Sequence, residues 1–372
     1  MKTSMTNSRA ARAVPTAPVP EGGTVFPFAD YPAAGTATEV ADGIFWVSLP
    51  VPFVGLKQVN LWLMRDSDGW AMIDSGYGRP AVREQLGDVW GTVLGGRPIT
   101  RLILTHFHPD HAGNSGWVCE RWGLRPYMSQ GEWFAGNMAR LDRDTDAFEA
   151  RAAFYRRHGL SDARLEKFLT EALPYKDGVE LPPDHRRLRN GDTIDIGGDL
   201  WRVVVGEGHS PEHISLYCAE RRILIAGDQI LPSITTNVST WPVEPEFDAV
   251  GAFMATCRTF LDLLHPDTLI LPSHRKPFRN VRHRLHELDA HHAARLNLLL
   301  ANVPRETSAG EMIDVLFTPG LDGHQLGFAM GEAIAHLNHL TALGHLQMAE
   351  ERSRVGYRRV GGMDAKVAPA FS

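Results

Sequence analysis

The stretch Thr105-His106-Phe107-His108-Pro109-Asp110-His111 decides how the fold of this chain is interpreted. It follows the short apolar run 101–104, which is typical of a fully buried strand. Side chains two positions apart on an extended segment point the same way, so the imidazoles of His106 and His108 can reach one ion. We therefore predict a metal site where this strand ends.

Asp110 and His111 come after Pro109, beyond the end of the predicted strand. We expect the chain to turn there and to bring both side chains to a second position beside the first. A lone histidine is usually structural, but this clustering of histidine and aspartate at a strand end predicts metal binding. Nitrogen and carboxylate ligands suit zinc, and manganese, iron or cobalt would also fit.

Strand-like and helical segments alternate on both sides of this stretch. Residues 36–103 contain short strands with aromatic and branched side chains and one amphipathic helix, and strands return over 188–226. Residues 131–175 have helical periodicity, and we interpret them as an insertion that lies over the site. A long helix is predicted over 281–300. A capped helix start at 307–311, a second helix from Gly327 to Leu346 and a hairpin over 347–360 follow, in the order of a winged-helix module.

Three further motifs each follow a strand-like run. They are Gly208-His209-Ser210-Pro211-Glu212-His213, Ala226-Gly227-Asp228 and Leu271-Pro272-Ser273-His274. With these motifs in this order, the chain resembles the metallo-β-lactamase superfamily from about Thr36 to Phe278. It is most similar to glyoxalase II-like hydrolases and to lactamase-like hydrolases with a C-terminal winged-helix domain.

The resemblance implies two divalent metal ions, most simply zinc, with manganese or iron as alternatives. The first ion would take His106, His108 and His209. The second would take Asp110, His111 and His274, and Asp228 would bridge both. Asp74 matches a position that supports the ligand loops from outside the coordination shell, and we place His213 with it as a supporting or purely structural residue.

The resemblance also implies an α/β fold, a four-layer αββα sandwich with a helical insertion and a winged-helix-like C-terminal domain. We expect a disordered tail over 1–24, a catalytic domain over 25–300 with its insertion at about 131–175, a winged-helix-like domain over 301–362 and a second tail over 363–372.

Composition limits the classes of function that remain. The 372 residues carry a formal net charge of −6, which disfavours a protein built mainly to bind phosphate backbones. Three scattered cysteines are too few for a disulfide framework and suit buried positions in a reducing cytosol. No apolar run is long enough for a membrane span, and we expect a cytoplasmic protein without membrane contact.

The expected reaction is hydrolysis of a thioester or ester, lactones included, by a hydroxide that bridges the two metals. Asp110 would be the catalytic residue of the chain, passing a proton to the leaving group. Phe53, Thr235 and Asn237 are candidates for the pocket of a small-molecule acyl substrate, with ordinary loop packing as the alternative.

Other functions stay open from the sequence. A winged helix and local arginines would suit a nuclease acting on RNA or DNA, although the net charge counts against nucleic acid as a partner. An iron-dependent dioxygenase of the same fold would keep a similar histidine run, whereas diiron relatives place a glutamate where His108 stands. The C-terminal helices could also serve packing or a homodimer, and a non-catalytic scaffold is the least favoured interpretation because the ligand set is complete.

Overall fold

The computed structural model describes residues 22–141, 146–173, 175–303, 306–351, 354–361 and 366–371. Most of the predicted N-terminal tail, residues 1–21, lies outside these ranges. Of the predicted tail over 363–372, residues 366–371 are described.

Seven strands form the first sheet, and their spatial order is the same as their order in the chain. They are β1 (Thr38–Ala41), β2 (Ile44–Phe53), β3 (Leu56–Arg65), β4 (Trp70–Ile73), β5 (Ile99–Ile103), β6 (Tyr127–Met128) and β7 (Arg186–Arg187). The first four strands pair antiparallel, and β4 to β7 pair in parallel. Because β4 and β5 are parallel, the segments that follow them emerge at the same edge of the sheet.

Five strands form the second sheet, in the spatial order β12-β11-β10-β9-β8. They are β8 (Thr193–Ile196), β9 (Asp199–Gly206), β10 (His213–Cys218), β11 (Ile223–Gly227) and β12 (Leu269–Pro272). Strands β11 and β12 pair in parallel and are buried along their whole length, as expected for strands covered on both faces. Their C-terminal ends therefore deliver Asp228 and His274 to one edge.

Some of the helices cover the outer faces of the two sheets, and others pack mainly against one another. In chain order they are α1 (Pro80–Val93), α2 (Pro109–Ala112), α3 (Ser115–Trp122), α4 (Gln130–Leu141), α5 (Asp146–Arg157), α6 (Asp162–Glu171), α7 (Ala249–Leu263), α8 (Val281–Asn302), α9 (Ala309–Leu316) and α10 (Gly323–Ala342). Helix α1 has proline at its first position and buries residues at helical spacing, which fits its amphipathic sequence. Within the described ranges, no helix is both long and apolar enough to cross a membrane.

Three cores separate the four layers of the sandwich. Between the sheets lie Trp46, Trp62 and Trp201, each at most 1% exposed. Replacing a buried tryptophan with alanine costs about 3–5 kcal/mol, so these rings fix how the sheets pack. A second core joins the seven-stranded sheet to α1 and α3, and a third joins the five-stranded sheet to α7 and α8. The predicted αββα sandwich is therefore confirmed.

The cysteines are distributed over these same cores. Cys218 lies between the sheets, Cys119 lies on the buried face of α3, and Cys257 lies on α7. All three are buried and free of disulfides, as the sequence predicted. They pack as small apolar side chains.

A C-terminal domain follows α8. It contains α9, α10 and a small sheet of β13 (Glu306–Thr307), β14 (Leu346–Glu351) and β15 (Arg354–Arg359), in the order β13-β15-β14. The two helices and the hairpin occur in the predicted order, although α10 begins at Gly323, before the expected start. The comparison with a winged helix stays a prediction.

The helical insertion has two parts with different neighbours. Its first helix, α4, reaches the loops that carry the candidate metal ligands, as described below. Helices α5 and α6 instead share one apolar core with α9, α10 and the end of α8. Only part of the insertion therefore lies at the site, and the rest packs against the C-terminal domain.

Candidate metal centre

Four strand ends deliver the candidate ligands to one edge of the sandwich. The stretch 105–111 follows β5, His209 lies between β9 and β10, Asp228 follows β11 and His274 follows β12. The potential ligand atoms form three overlapping groups in which all atoms lie within 4.8 Å of one another. His106, His108 and His209 are called the first group, and Asp110, His111 and His274 are called the second group. The remaining group, His106, His111 and Asp228, connects these two.

The first group consists of three imidazoles. His106 Nε2 lies 2.9 Å from His108 Nδ1 and 3.3 Å from His209 Nε2. His106 and His209 therefore point their Nε2 atoms at a common position, and His108 points its Nδ1 atom there. Three nitrogen donors around one point are a typical zinc-binding arrangement.

The second group contains one carboxylate and two imidazoles. Asp110 Oδ2 lies 3.6 Å from His111 Nε2 and 3.4 Å from His274 Nε2. All three side chains are at most 7% exposed. Donors this close, and shielded from water, leave room for one cation between them.

Asp228 lies between the two groups. Its Oδ2 atom is 3.5 Å from His209 Nε2, 3.6 Å from His111 Nε2 and 3.3 Å from His274 Nε2. Asp228 Oδ1 and His111 Nε2 are buried and have no hydrogen-bond partner within the described part of the chain. Buried polar atoms without partners are costly, and two cations at these positions would satisfy both of them. The residues present therefore fit a pair of divalent ions.

Opposite electrostatic environments distinguish the two groups. Burial holds the pKa of His106 well below its ordinary value and that of His108 at about 3, so both rings are neutral and offer lone pairs. Burial alone would raise the pKa of Asp110, but His111 and His274 bring it down to about 2. The ionised carboxylate of Asp110 therefore lies within the second group and that of Asp228 beside it, where both attract cations.

In every ring that points Nε2 toward the other candidate ligands, the Nδ1 atom contacts an oxygen atom outside the site. His106 Nδ1 meets Thr105 Oγ1 at 3.0 Å, and His111 Nδ1 meets Asp74 Oδ2 at 2.9 Å. The other two rings donate to backbone carbonyls, namely His209 to Asn237 at 2.7 Å and His274 to Gln58 at 2.9 Å. These contacts set the tautomer that leaves Nε2 free for a metal.

Sequence comparisons agree with this geometry. The profile of the Metallo-beta-lactamase superfamily matches residues 54–274, more than half of the chain. This chain belongs to the metallo-β-lactamase superfamily. The profile of the Metallo-beta-lactamase-like C-terminal domain matches residues 296–359, which contain α9, α10 and the small sheet.

Solved structures and curated relatives of the superfamily support the assignment. A beta-lactamase domain protein from Burkholderia ambifaria is 40% identical, with a TM-score of 0.83, covering 91% of this chain and 98% of that one. A metallo-beta-lactamase family protein from Thermus thermophilus is 29% identical, with a TM-score of 0.74, covering 86% of this chain and 100% of that one. The human acyl-coenzyme A thioesterase MBLAC2 is 23% identical over 64% of this chain and 80% of its own length.

Asp74, proposed as a support from its place in the superfamily pattern, holds two ligand segments at once. Its carboxylate accepts from Thr105 N at 2.7 Å and from Thr105 Oγ1 at 2.9 Å, in addition to the His111 contact. Thr105 in turn contacts His106. Asp74 thus connects a ligand of each group.

His213 contacts the backbone of Asp228. The backbone N–H of Asp228 donates to His213 Nε2 at 3.0 Å, and the ring is fully buried. A Cβ atom on Gly227, which has φ of 56°, would lie 2.4 Å from this ring. His213 therefore supports the Asp228 loop and is not among the grouped ligand atoms.

The three predicted pocket residues have different environments. Phe53 is partly buried and stacks on His324 of α10, with ring centroids 5.1 Å apart and planes at 5°. Thr235 is exposed. Asn237 accepts from Ser239 Oγ at 2.6 Å and donates to Glu332 of α10 at 3.2 Å, so its side chain joins two domains.

Several contributing residues were missed from the sequence. Tyr77 packs edge-on against Phe53 at 5.6 Å. Burial raises the pKa of Tyr77 and lowers that of His324, and the charge of Asp110 has a smaller effect on both. Buried Glu132 of α4 contacts the loops of the first group. Tyr77 directly follows the Asp74-Ser75-Gly76 segment and could have been suspected, whereas His324 and Glu132 lack a recognisable motif.

Proposed function

We propose that this chain is a dinuclear metal-dependent hydrolase of acyl thioesters or esters, lactones included. The observation that carries the proposal is the Asp228 carboxylate, which lies within 3.6 Å of histidines from both groups. A complete set of donors for two ions, with zinc as the best-fitting metal, supports hydrolysis by activated water. Two such ions would supply Lewis acidity and lower the pKa of a shared water molecule.

The side chains of the chain have separate tasks in this proposal. Burial keeps His106, His108 and His209 neutral. Burial alone would also lower the pKa of His111 and of His274, but Asp110 and Asp228 raise both, that of His274 to about 10, so each of these two rings would release a proton when a cation binds. Asp110 is the buried carboxylate that can carry a proton to the leaving group, because His111 and His274 keep it ionised beforehand. The surrounding apolar cores keep bulk water away from these charges.

The substrate class is inferred from the wall of the site. Phe53, Tyr77 and His324 form a continuous aromatic contact, and Tyr77 lies three residues after Asp74, whose carboxylate contacts His111. Aromatic rings offer a large apolar contact area, which suits an acyl chain better than a phosphate backbone. Similarity to a human acyl-coenzyme A thioesterase supports the same class.

The decisive experiment measures hydrolysis of acyl thioesters, esters, lactones and a phosphodiester by protein of defined metal content. We expect activity on acyl substrates with two metal equivalents per chain, and a loss of roughly 10²–10⁴-fold in kcat for Asp110→Asn. Glu120→Gln, on the exposed side of α3, is the matched control. Phosphodiester cleavage alone would favour the nuclease, and one iron with oxygen uptake would favour the dioxygenase; either result overturns the proposal.

A second measurement tests the aromatic wall. His324→Ala removes the ring that stacks on Phe53, and we expect it to raise KM for long acyl chains more than for short ones. Metal content and kcat at saturation should stay close to those of the unmodified protein, because His324 is not among the grouped ligands. An equal change for all chain lengths would show that the wall does not select the substrate.

A further inference from the structure

The peptide between His106 and His108 is held on both sides by the helical insertion. Phe107 N donates to Glu132 Oε2 on α4 at 3.0 Å. Phe107 O accepts from Tyr175 Oη at 2.6 Å, at the far end of the insertion. The residue that separates two candidate ligands of the first group therefore has its backbone fixed by side chains from elsewhere.

Glu132 also reaches the segment that carries the third ligand of that group. Its Oε1 atom accepts from Ser210 Oγ at 2.6 Å and from Glu212 N at 2.8 Å. Ser210 directly follows His209 in the chain. One carboxylate thus connects the His106–His108 segment with the His209 segment.

The contact between α4 and the His209 segment is reciprocal. Glu212 Oε2 accepts from Gly131 N at 2.8 Å, and Ser129 Oγ donates to Glu212 O at 2.8 Å. A Cβ atom on Gly131 would lie 3.0 Å from the Glu212 side chain, so the approach is close. Several short hydrogen bonds therefore fix the start of α4 against this segment.

Because Glu132 is buried, leaving its carboxylate short of a hydrogen-bond donor would be costly. Glu132 is 0% exposed, and both of its oxygens are used by donors from the two ligand segments. A buried carboxylate that lost one donor would be strongly unfavourable, so the carboxylate constrains both segments together. The second group, Asp110, His111 and His274, receives no hydrogen bond from Glu132 or Tyr175 among the contacts of the described residues.

We propose that Glu132 and Tyr175 form a clamp that sets the spacing of the first metal position and leaves the second largely independent. The helical insertion then has a defined task at the metal centre, apart from any role as a cover. Glu132 and Tyr175 are positioning residues, since they act through the backbone of Phe107 and through Ser210 and Glu212. The clamp rests on the proposed two-metal site but not on its substrate.

The test compares zinc affinities at each position by competition with a chelator. His274→Ala weakens the second position and reports on the first, whereas His108→Ala does the reverse. Glu132→Gln is nearly isosteric, but an amide has one oxygen for three donors, so at least one donor loses its partner. In the His274→Ala protein we expect Glu132→Gln to lower zinc affinity about 10–100-fold, the range typical of lost support behind a ligand.

In the His108→Ala protein we expect the same Glu132→Gln change to leave zinc affinity within about twofold. Tyr175→Phe removes only a hydroxyl, and it should weaken the first position by a smaller factor, which keeps the test valid if Glu132→Gln folds poorly. Cobalt substitution should show the altered first position in the visible spectrum, and Glu120→Gln should match the parent protein.

Equal losses at both positions, or no loss with either variant, would overturn the clamp. A parent protein that binds two zinc ions but hydrolyses no acyl substrate would instead contradict the proposed function and leave the clamp supported by its own affinity ratios. The two proposals can therefore fail separately.

Discussion

Asp74 has an unusual backbone conformation, and both oxygens of its carboxylate take part in hydrogen bonds. Its φ is 62°, in the left-handed region, and its side chain contacts Thr105 and His111. Aspartate and asparagine tolerate this region better than most residues because their short polar side chains bond locally. The superfamily pattern predicted Asp74 as a support, but a sequence does not reveal the backbone strain that limits which residues can replace it.

Asp74→Asn separates these two properties. Asparagine accepts the same backbone conformation, but its amide nitrogen cannot accept from Thr105 or from His111 Nδ1. We expect zinc affinity to fall about 10–100-fold with little change in the melting temperature. Asp74→Ala should lose both affinity and stability because alanine is strained at positive φ. Chelator competition and thermal unfolding distinguish the two, and an Asn variant with unchanged affinity would exclude Asp74 as a support.

The candidate ligands were predictable because each is a histidine or an aspartate that follows a strand-like run. Their supports were only partly predictable, since His209 and His274 are held by the backbone carbonyls of Asn237 and Gln58. Every residue has a carbonyl, so no sequence pattern marks these two. Asn237 illustrates the difficulty, because it is a pocket candidate by its side chain, whereas its carbonyl is what holds His209.

Helices α8 and α10 pack through a pair of buried histidines that are not among the candidate ligands. His336 Nδ1 donates to Glu332 O at 2.8 Å, which leaves its Nε2 atom to accept from His292 Nδ1 at 3.2 Å. This arrangement is satisfied with both rings neutral, and a second proton on His336 would force His292 into its other tautomer. Burial accordingly lowers the pKa of His336 to about 3 and that of His292 well below its ordinary value.

This pair predicts a loss of stability in mild acid. Below pH 6.5 an unfolded histidine takes up a proton that folded His336 does not, so the stabilisation is complete above that pH and declines as pH falls. For a shift from 6.5 to about 3, the free energy of unfolding at pH 5 falls by about 2 kcal/mol relative to pH 8. Urea unfolding across this range measures the slope.

His336→Gln should flatten that slope, since glutamine can donate and accept but does not titrate. His283→Gln, on the more exposed face of α8, is the control and should leave the slope unchanged. Comparing variants at each pH removes the contribution of the metal-ligand histidines, which is common to all of them. An identical slope in His336→Gln would show that this pair does not govern the acid response.

The start of α10 was predicted too late in the chain, and the reason is local. Helix α10 was expected from Gly327, yet it begins at Gly323 behind Asp322, whose side chain accepts from Gln325 N at 2.8 Å while Gln325 bonds back to Asp322 N. This capping box was present in the sequence. Gly323 and Gly327, both weak helix formers, obscured the true start.

Across the whole molecule, the fold class followed from the sequence but the contacts between distant segments did not. The insertion and the C-terminal domain meet in one apolar core, and Gly323 N, at the start of α10, donates to Glu171 of α6 at 2.8 Å. These partners lie about 150 positions apart in the chain. Periodicity identifies which face of a helix is apolar, but it does not say which other element covers that face.

The shared core predicts that the insertion and the C-terminal domain unfold as one unit. Leu337 of α10 is 0% exposed in this core, and Leu337→Ala should cost about 2–5 kcal/mol. Hydrogen exchange should then accelerate in α6 as well as in α9 and α10, while β4 and β11 keep their protection. Val203→Ala, buried between the sheets, should give the converse pattern. Acceleration confined to α9 and α10 would mean that the C-terminal domain opens without the insertion and that the core in Leu337's neighbourhood is not cooperative.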